Sequence, residues 1–191
     1  MDYLQIASDI YQWLNKYQIN QSVVSGKVEN SNLSFMIDHP VDGSIKIQKP
    51  ISNEMYFRNR GIGFNVRSLN GNNVDILVYD YGGIYDPVDK LVPGDHYAAT
   101  HYALLGAILY QSKQNDELLE DITRAATFFF NSKNEEYYFD NWYYHWDFHN
   151  YSMMETYHLL NVKFDADEKT LKDLSVSEII KKFNKDRCRS W

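Results

Sequence analysis

The feature that most restricts the fold is a pair of apolar helical patterns separated by only a few polar residues. Pro93-Gly94-Asp95 is a helix-start signal, with Asp95 as the N-cap or a first-turn acid. The run 96–111 that follows carries the string YALLGAIL, apolar nearly all round, so deep burial is expected. Residues 112–115 break it. Asp116 and Glu117 then place acids in the first turn of a second helix reaching to about Phe130, with Leu118, Leu119, Ile122, Ala125, Ala126 and Phe129 on its inner side. Helices joined so tightly pack antiparallel, which predicts an αα-hairpin.

The flanking sequence is read in the same way. Segment 2–17 places Leu4, Ile6, Ala7, Ile10, Tyr11, Trp13, Leu14 and Tyr17 at helical spacing. From 18 to 93, Asn, Gly, Ser and Pro recur between short β-branched runs at 44–48, 63–69 and 74–79, and Asn70-Gly71-Asn72-Asn73 is a hairpin-type turn signal. This stretch reads as loops with a little β structure. A polar, aromatic loop at 131–141 leads to a third helix at about 144–160. Ser175-Val176-Ser177-Glu178 fits a capping box opening a last helix at 178–184. The expectation is a single domain, 1–191, of mainly α class: antiparallel αα-hairpins with an irregular, partly β insertion at about 20–92.

Composition excludes several function classes. The single cysteine, Cys188, rules out an internal disulfide and is compatible with a reducing compartment. The formal charge is −7, and no basic cluster exceeds Lys181-Lys182 and Arg187/Arg189, which argues against a nucleic-acid partner. The longest apolar runs are too short to span a bilayer, and the opening MDYLQIASDIYQWL lacks the basic region of a signal peptide. A cytoplasmic protein with no membrane partner is expected. No cofactor motif is present. Arg58-Asn59-Arg60-Gly61-Ile62-Gly63 lacks the Gly-Lys-Ser/Thr of a phosphate loop and reads as a turn with solvated arginines; its functional alternative is that Arg60 grips an anionic group where glycine lets the backbone approach.

Aromatic residues make up 16% of the chain, and ten of them fall between Tyr137 and Tyr157. His145 and His149 stand at i,i+4, the spacing of a metal-ligand pair on a helix, but Asp147 lies about 200° round from His145 and cannot join them. A third ligand would have to come from Asp95, His96 or His101. The other reading, imidazoles hydrogen-bonded among tyrosines, needs no metal, and none is assigned. On the same helix Trp146, His149, Asn150, Met153, Tyr157 and Leu160 form one stripe, with Asp147, Tyr151, Met154 and His158 opposite. Both are mixed in polarity, which suggests a helix contacted on two sides or lining a cavity.

The run from Asp86-Pro87 through Val92-Pro93-Gly94-Asp95-His96-Tyr97, the small-residue helix, the turn ending Asn115-Asp116 and the later His145-Trp146-Asp147-Phe148-His149-Asn150-Tyr151 resemble part of an (α/α) toroid carbohydrate-active enzyme, over about 86–160. The resemblance implies an oligosaccharide partner and a polysaccharide lyase, glycoside hydrolase or sugar epimerase. Its proton-transfer chemistry would fall to His149, Asp147, Asp95, His145 and Tyr157, with Asp95 and Asp147 as the carboxylate pair of a hydrolase. Substrate contacts would come from His96, His101, Asn150, Trp142, Trp146, Tyr97 and Arg60. The chain supplies only part of the helices such a ring needs. A second reading is therefore a small acidic, non-enzymatic interaction protein that binds a protein partner, with scattered histidines and an exposed aromatic patch.

Overall fold

The Asp2 carboxylate accepts hydrogen bonds from the backbone N–H groups of Leu4 and Gln5, at 3.0 and 3.2 Å, and so starts the first helix, α1 (Tyr3–Asn15). The structure, a computed structural model, describes residues 2–52, 54–93, 97–131 and 146–164; side chains at 97, 130–131, 146–150 and 161–164 lie outside the description as well.

After α1 the chain forms six strands: β1 (Val23–Glu29), β2 (Asn32–His39), β3 (Gly43–Pro50), β4 (Tyr56–Asn59), β5 (Ile62–Asn70) and β6 (Asn73–Val78). They make one antiparallel sheet of order β3-β2-β1-β6-β5-β4. This corrects the expected class. The stretch at 20–92 is not an irregular insertion but a complete sheet, and the protein is mixed α and β rather than mainly α. The polar residues that suggested loops are the outward alternates of strands. Leu33, Phe35 and Ile37 face inward with exposures of 5% or less, while Ser34, Met36 and Asp38 alternate with them outward.

Tight turns fix the registers. Asn30-Ser31 and Arg60-Gly61 join β1 to β2 and β4 to β5, with both central residues at positive φ as a type I′ turn requires. Between β5 and β6, Gly71 alone of the two central residues is left-handed (φ 63°), the pattern of type II′.

The sheet curls into a half-barrel around its own apolar face. Phe35 on β2 meets Phe64 on β5 and Phe57 on the edge strand β4, with ring centroids 5.1 and 6.2 Å apart, although β1 and β6 lie between β2 and β5 in strand order. Gly26 permits the curvature, because a Cβ there would stand 3.0 Å from Ile76 Cδ1 and 3.2 Å from the Ser34 carbonyl. A bulge in β5 between Val66 and Ser68 adds twist. The two edges approach each other: Lys49 of β3 places its ammonium 4.3 Å from the centre of the Phe57 ring and 2.9 Å from Glu54.

Three further helices lie among the described residues: α2 (Tyr97–Ser112), α3 (Asp116–Asn131) and α4 (Trp146–Phe164). α2 touches α1, α3 and α4, which explains why its sequence is apolar nearly all round. The toroid resemblance is overturned here. The helices stack on α2 beside a curled sheet rather than ringing a cavity, so the lyase, hydrolase and epimerase readings lose their basis. Gly106 lets the helices close, since a Cβ there would lie 2.8 Å from Ile122 Cγ1 and 3.2 Å from the Tyr11 ring. On α4, Ser152, Met153, Thr156 and Leu160 are buried, whereas Tyr151, Met154 and His158 are exposed. Over its described side chains, 151–160, that helix is covered on one side, not two.

Segment 79–92 is the seam between sheet and helices. Ile19 N–H donates to the Gly83 carbonyl (2.9 Å), Gly82 N–H to Ile19 (2.8 Å) and Tyr85 N–H to Tyr17 (2.9 Å). Gly82, at φ 84°, lies so close to α3 that a Cβ would fall 1.8 Å from the Arg124 carbonyl oxygen. Asp80, fully buried, accepts from the Gly63 N–H at 2.8 Å and lies 3.8 Å from the Arg58 guanidinium. Among the described residues no helix is long and apolar enough to cross a membrane.

Candidate functional site

Most of the residues expected to form a site fall outside the description. Asp95, His96, Trp142 and His145 lie outside the described residues, as do the side chains of Tyr97, Trp146, Asp147, His149 and Asn150. Of the remaining three, His101 is exposed on α2, Tyr157 is half-buried on the packed neighbour α4, and Arg60 stands in the β4–β5 turn, where it lines a cavity whose walls include neither of the others. Among the described residues no group of three or more His, Cys, Asp and Glu side chains is placed to hold a metal ion.

The cavity at Arg60 holds about 230 Å³ between the β2–β3 loop, the β4–β5 turn and the loop at 85–90. His39 is its buried floor. The imidazole Nδ1 accepts from the N–H groups of Val41 and Asp42, at 3.3 and 3.1 Å, so the proton sits on Nε2, which donates to the Arg60 carbonyl at 3.1 Å. Both ring nitrogens are thereby committed to holding two loops together. Tyr85 packs edge-on against the ring at 4.7 Å. Its phenol is raised above the ordinary tyrosine range by burial, with the nearby Asp42 carboxylate adding to the effect.

A second cleft, of about 300 Å³, opens between α1 and the α2–α3 corner. Its floor is the most connected polar network in the protein. The Tyr11 phenol donates to one carboxylate oxygen of Asp121, and the Arg124 guanidinium binds the other. Arg124 Nε also donates to the Gln18 side-chain carbonyl at 3.0 Å, and the Gln18 amide donates back to the Asp121 backbone at 3.0 Å. Tyr102 stacks on Tyr11 with centroids 4.8 Å apart and donates to Asn15 at 2.9 Å. Burial holds both phenols well above the ordinary tyrosine range, and for Tyr11 the hydrogen bond to Asp121 adds to it. A phenol so hard to ionise and already committed to a carboxylate is poorly suited to act as a base or nucleophile; the arrangement clamps α1 to α3.

The outer face of α1 is a different surface. At about 100° per residue, Ala7, Tyr11 and Leu14 share one arc and pack on the core, while Tyr3, Ile6, Ile10 and Trp13 fall in an adjoining arc about 80° wide. Those four remain 76%, 41%, 48% and 54% exposed, and Asp2, Gln5, Asp9, Gln12 and Lys16 fill the polar side beyond them. The apolar sector of this helix is thus about twice as wide as the fold covers. Sequence reading found the helix and its apolar residues but had no means of telling which of them the core would take. Compared with protein-family models, curated proteins and solved structures, the chain gives no match.

Proposed function

We propose that this protein is a non-catalytic interaction module that docks a partner protein on the outer face of α1. The observation that carries the reading is the uncovered half of the apolar sector, Tyr3, Ile6, Ile10 and Trp13. Taking about 200 Å² for each aromatic side chain, Tyr3 and Trp13 alone leave roughly 250 Å² of apolar surface in water. With the half-exposed Ile6 and Ile10 added, the row reaches the few hundred Å² at which a contiguous apolar patch is often a functional surface. From Tyr3 to Trp13 the row runs about 15 Å, the length of ten helical residues, which suits a helix laid alongside it.

Charge selects the partner. The row is bordered by Asp2 and Asp9 of the same helix, in a chain of formal charge −7. A second copy would bring the same acids against each other, whereas an amphipathic helix with lysine or arginine beside its apolar face would pair with them. A Leu/Lys amphipathic peptide of about 18 residues is the probe. In calorimetric titration the full chain binds it, Ile10→Glu weakens binding at least tenfold, and a Leu/Glu peptide of the same pattern does not bind. Equal binding by Ile10→Glu refutes the reading. So does a dimer in sedimentation that this substitution dissolves, because the face would then belong to a second copy. Removal of residues 165–191 that uncovers peptide binding absent from the full chain refutes it too, since the occupant would be the chain itself.

A further inference from the structure

We infer that the cavity floored by His39 is a binding site for a small oxyanion, a carboxylate or phosphate group, held between Arg60 and Lys90. The site is independent of the α1 face. Four non-glycine residues have positive φ among the described residues: Asn30, Ser31, Arg60 and Lys90. Asn30 and Ser31 are short polar residues in a two-residue hairpin turn, and asparagine tolerates this conformation well. Arg60 (φ 51°) and Lys90 (φ 55°) are long side chains at positions where glycine or asparagine would be less strained, and both line the same cavity. Strained backbone that carries chemically similar side chains to one point is the pattern of a ligand clamp.

The surrounding contacts hold together the two backbone positions that carry the cations. The His39 Nε2–H fixes the Arg60 carbonyl at 3.1 Å. Gly61 is pressed against the Lys90 backbone, where a Cβ would fall 2.1 Å from the carbonyl oxygen, so turn and loop cannot part without losing this packing. Among the ionised groups lining the cavity, two cations face one acid, Asp42, in a chain whose net charge is strongly negative. Asp42 holds Arg60 only loosely, at 3.4 Å, with the two side chains 39% and 63% exposed. Such a pair is weak, and Arg60 can exchange it for a bidentate oxyanion. Asp86, next in the chain to Tyr85, has one carboxylate oxygen engaged by the Val88 and Asp89 N–H groups, at 2.7 and 3.1 Å, and is not part of the cavity lining. The Tyr85 phenol on the cavity wall supplies a neutral donor.

The test is thermal unfolding of the full chain in phosphate, acetate or chloride at one pH and ionic strength. Phosphate or acetate is expected to raise Tm above the chloride value along a saturating curve, and which of them does so distinguishes the two sources of oxyanion. Arg60→Asn and Lys90→Gly are expected to raise Tm in chloride, because strain is released, while abolishing the anion-dependent rise. Asp42→Asn should strengthen that rise. Amide shifts of the unaltered protein on phosphate or acetate addition should centre on Arg60, Gly61 and Lys90. The inference is overturned if neither anion raises Tm above chloride, if the two variants respond as the parent does, or if the shifts fall elsewhere.

Discussion

Replacing Asp121 by Asn tests the clamp between α1 and α3 without changing the shape of the side chain. The Asp121 side chain is 2% exposed and its two oxygens are divided between Tyr11 and Arg124. An amide can still serve the Tyr11 hydroxyl, which accepts as well as donates, but it cannot neutralise Arg124, whose side chain is 17% exposed. Breaking a buried pair by removing one partner costs about 3–5 kcal/mol. Here Glu120 remains 3.6 Å from the guanidinium on its exposed side and Gln18 still accepts from Nε, so the lower part of that range applies, about 3–4 kcal/mol. For a chain of this size each kcal/mol lowers Tm by about 2–4 °C, giving a loss on the order of 6–16 °C. Tyr11→Phe, which removes one hydrogen bond to the carboxylate, should cost about 1–3 kcal/mol. The double variant should depart from the sum, because both substitutions act on one hydrogen-bonded network centred on the Asp121 carboxylate. Urea unfolding followed by circular dichroism measures all three. A cost below about 1 kcal/mol for Asp121→Asn, or strict additivity in the double variant, would refute the clamp.

Three other outcomes follow from the same structure. Burial raises the phenols of Tyr11, Tyr81, Tyr85, Tyr102 and Tyr110, so above pH 10 the unfolded chain loses protons that the folded chain keeps; stability is full below about pH 10 and falls as pH rises beyond it, with a slope of up to about 1.4 kcal/mol per pH unit for each such group. Absorbance at 295 nm should then show part of the 16 tyrosines ionising only when the protein unfolds, and Tyr102→Phe should shallow the alkaline stability loss. Gly82→Ala should destabilise by more than about 3 kcal/mol, since it adds a collision with the Arg124 backbone to the left-handed strain, whereas Gly71→Ala, in open space at φ 63°, should cost only about 1–2 kcal/mol in the same urea assay. Ile10→Glu, at a half-exposed position, should leave stability within about 0.5 kcal/mol of the parent, which separates its effect on docking from any effect on folding.

α1 and α3 were legible because their apolar positions repeat every 3.6 residues over several turns, α2 as an almost unbroken apolar run behind a helix-start signal, and α4 as a stretch free of Gly and Pro; all four lie within a few residues of the expected ends. Half of the sheet was legible too, since β3, β5 and β6 have β-branched runs and Asn70-Gly71 marks their hairpin. β1 and β2 were not. Gly26 looks like a break in a strand yet is what lets β1 curl against Ile76 and Phe35, and the outward Met36 blurs the alternation of β2. β4, at four residues, is too short to show a period. Of the aromatic run at 137–157, only the side chains of Tyr151, which faces water, and Tyr157, which is half-buried, fall among the described residues. Sequence patterning did not single out Asp121. The signal it offered was position: Asp121, Arg124 and the buried Phe128 follow one another at i, i+3 and i+7 along the flank of the inner face, so the first two had to be buried and paired. The outer row of α1 was visible only as part of one wide apolar helix, because the sequence does not record which neighbours a helix will have.

The outer row of α1 is either a docking face or an ordinary exposed surface. The most direct measurement is paramagnetic broadening from a spin-labelled Leu/Lys amphipathic peptide, read residue by residue on the isotopically labelled full chain. Docking on α1 predicts that the signals of Tyr3, Ile6, Ile10 and Trp13 broaden first, while those of Ser8 and Asn15, on the cleft side of the same helix, and of the sheet keep their intensity. Broadening centred on any other surface, or none along α1 at peptide concentrations that saturate binding, would contradict it.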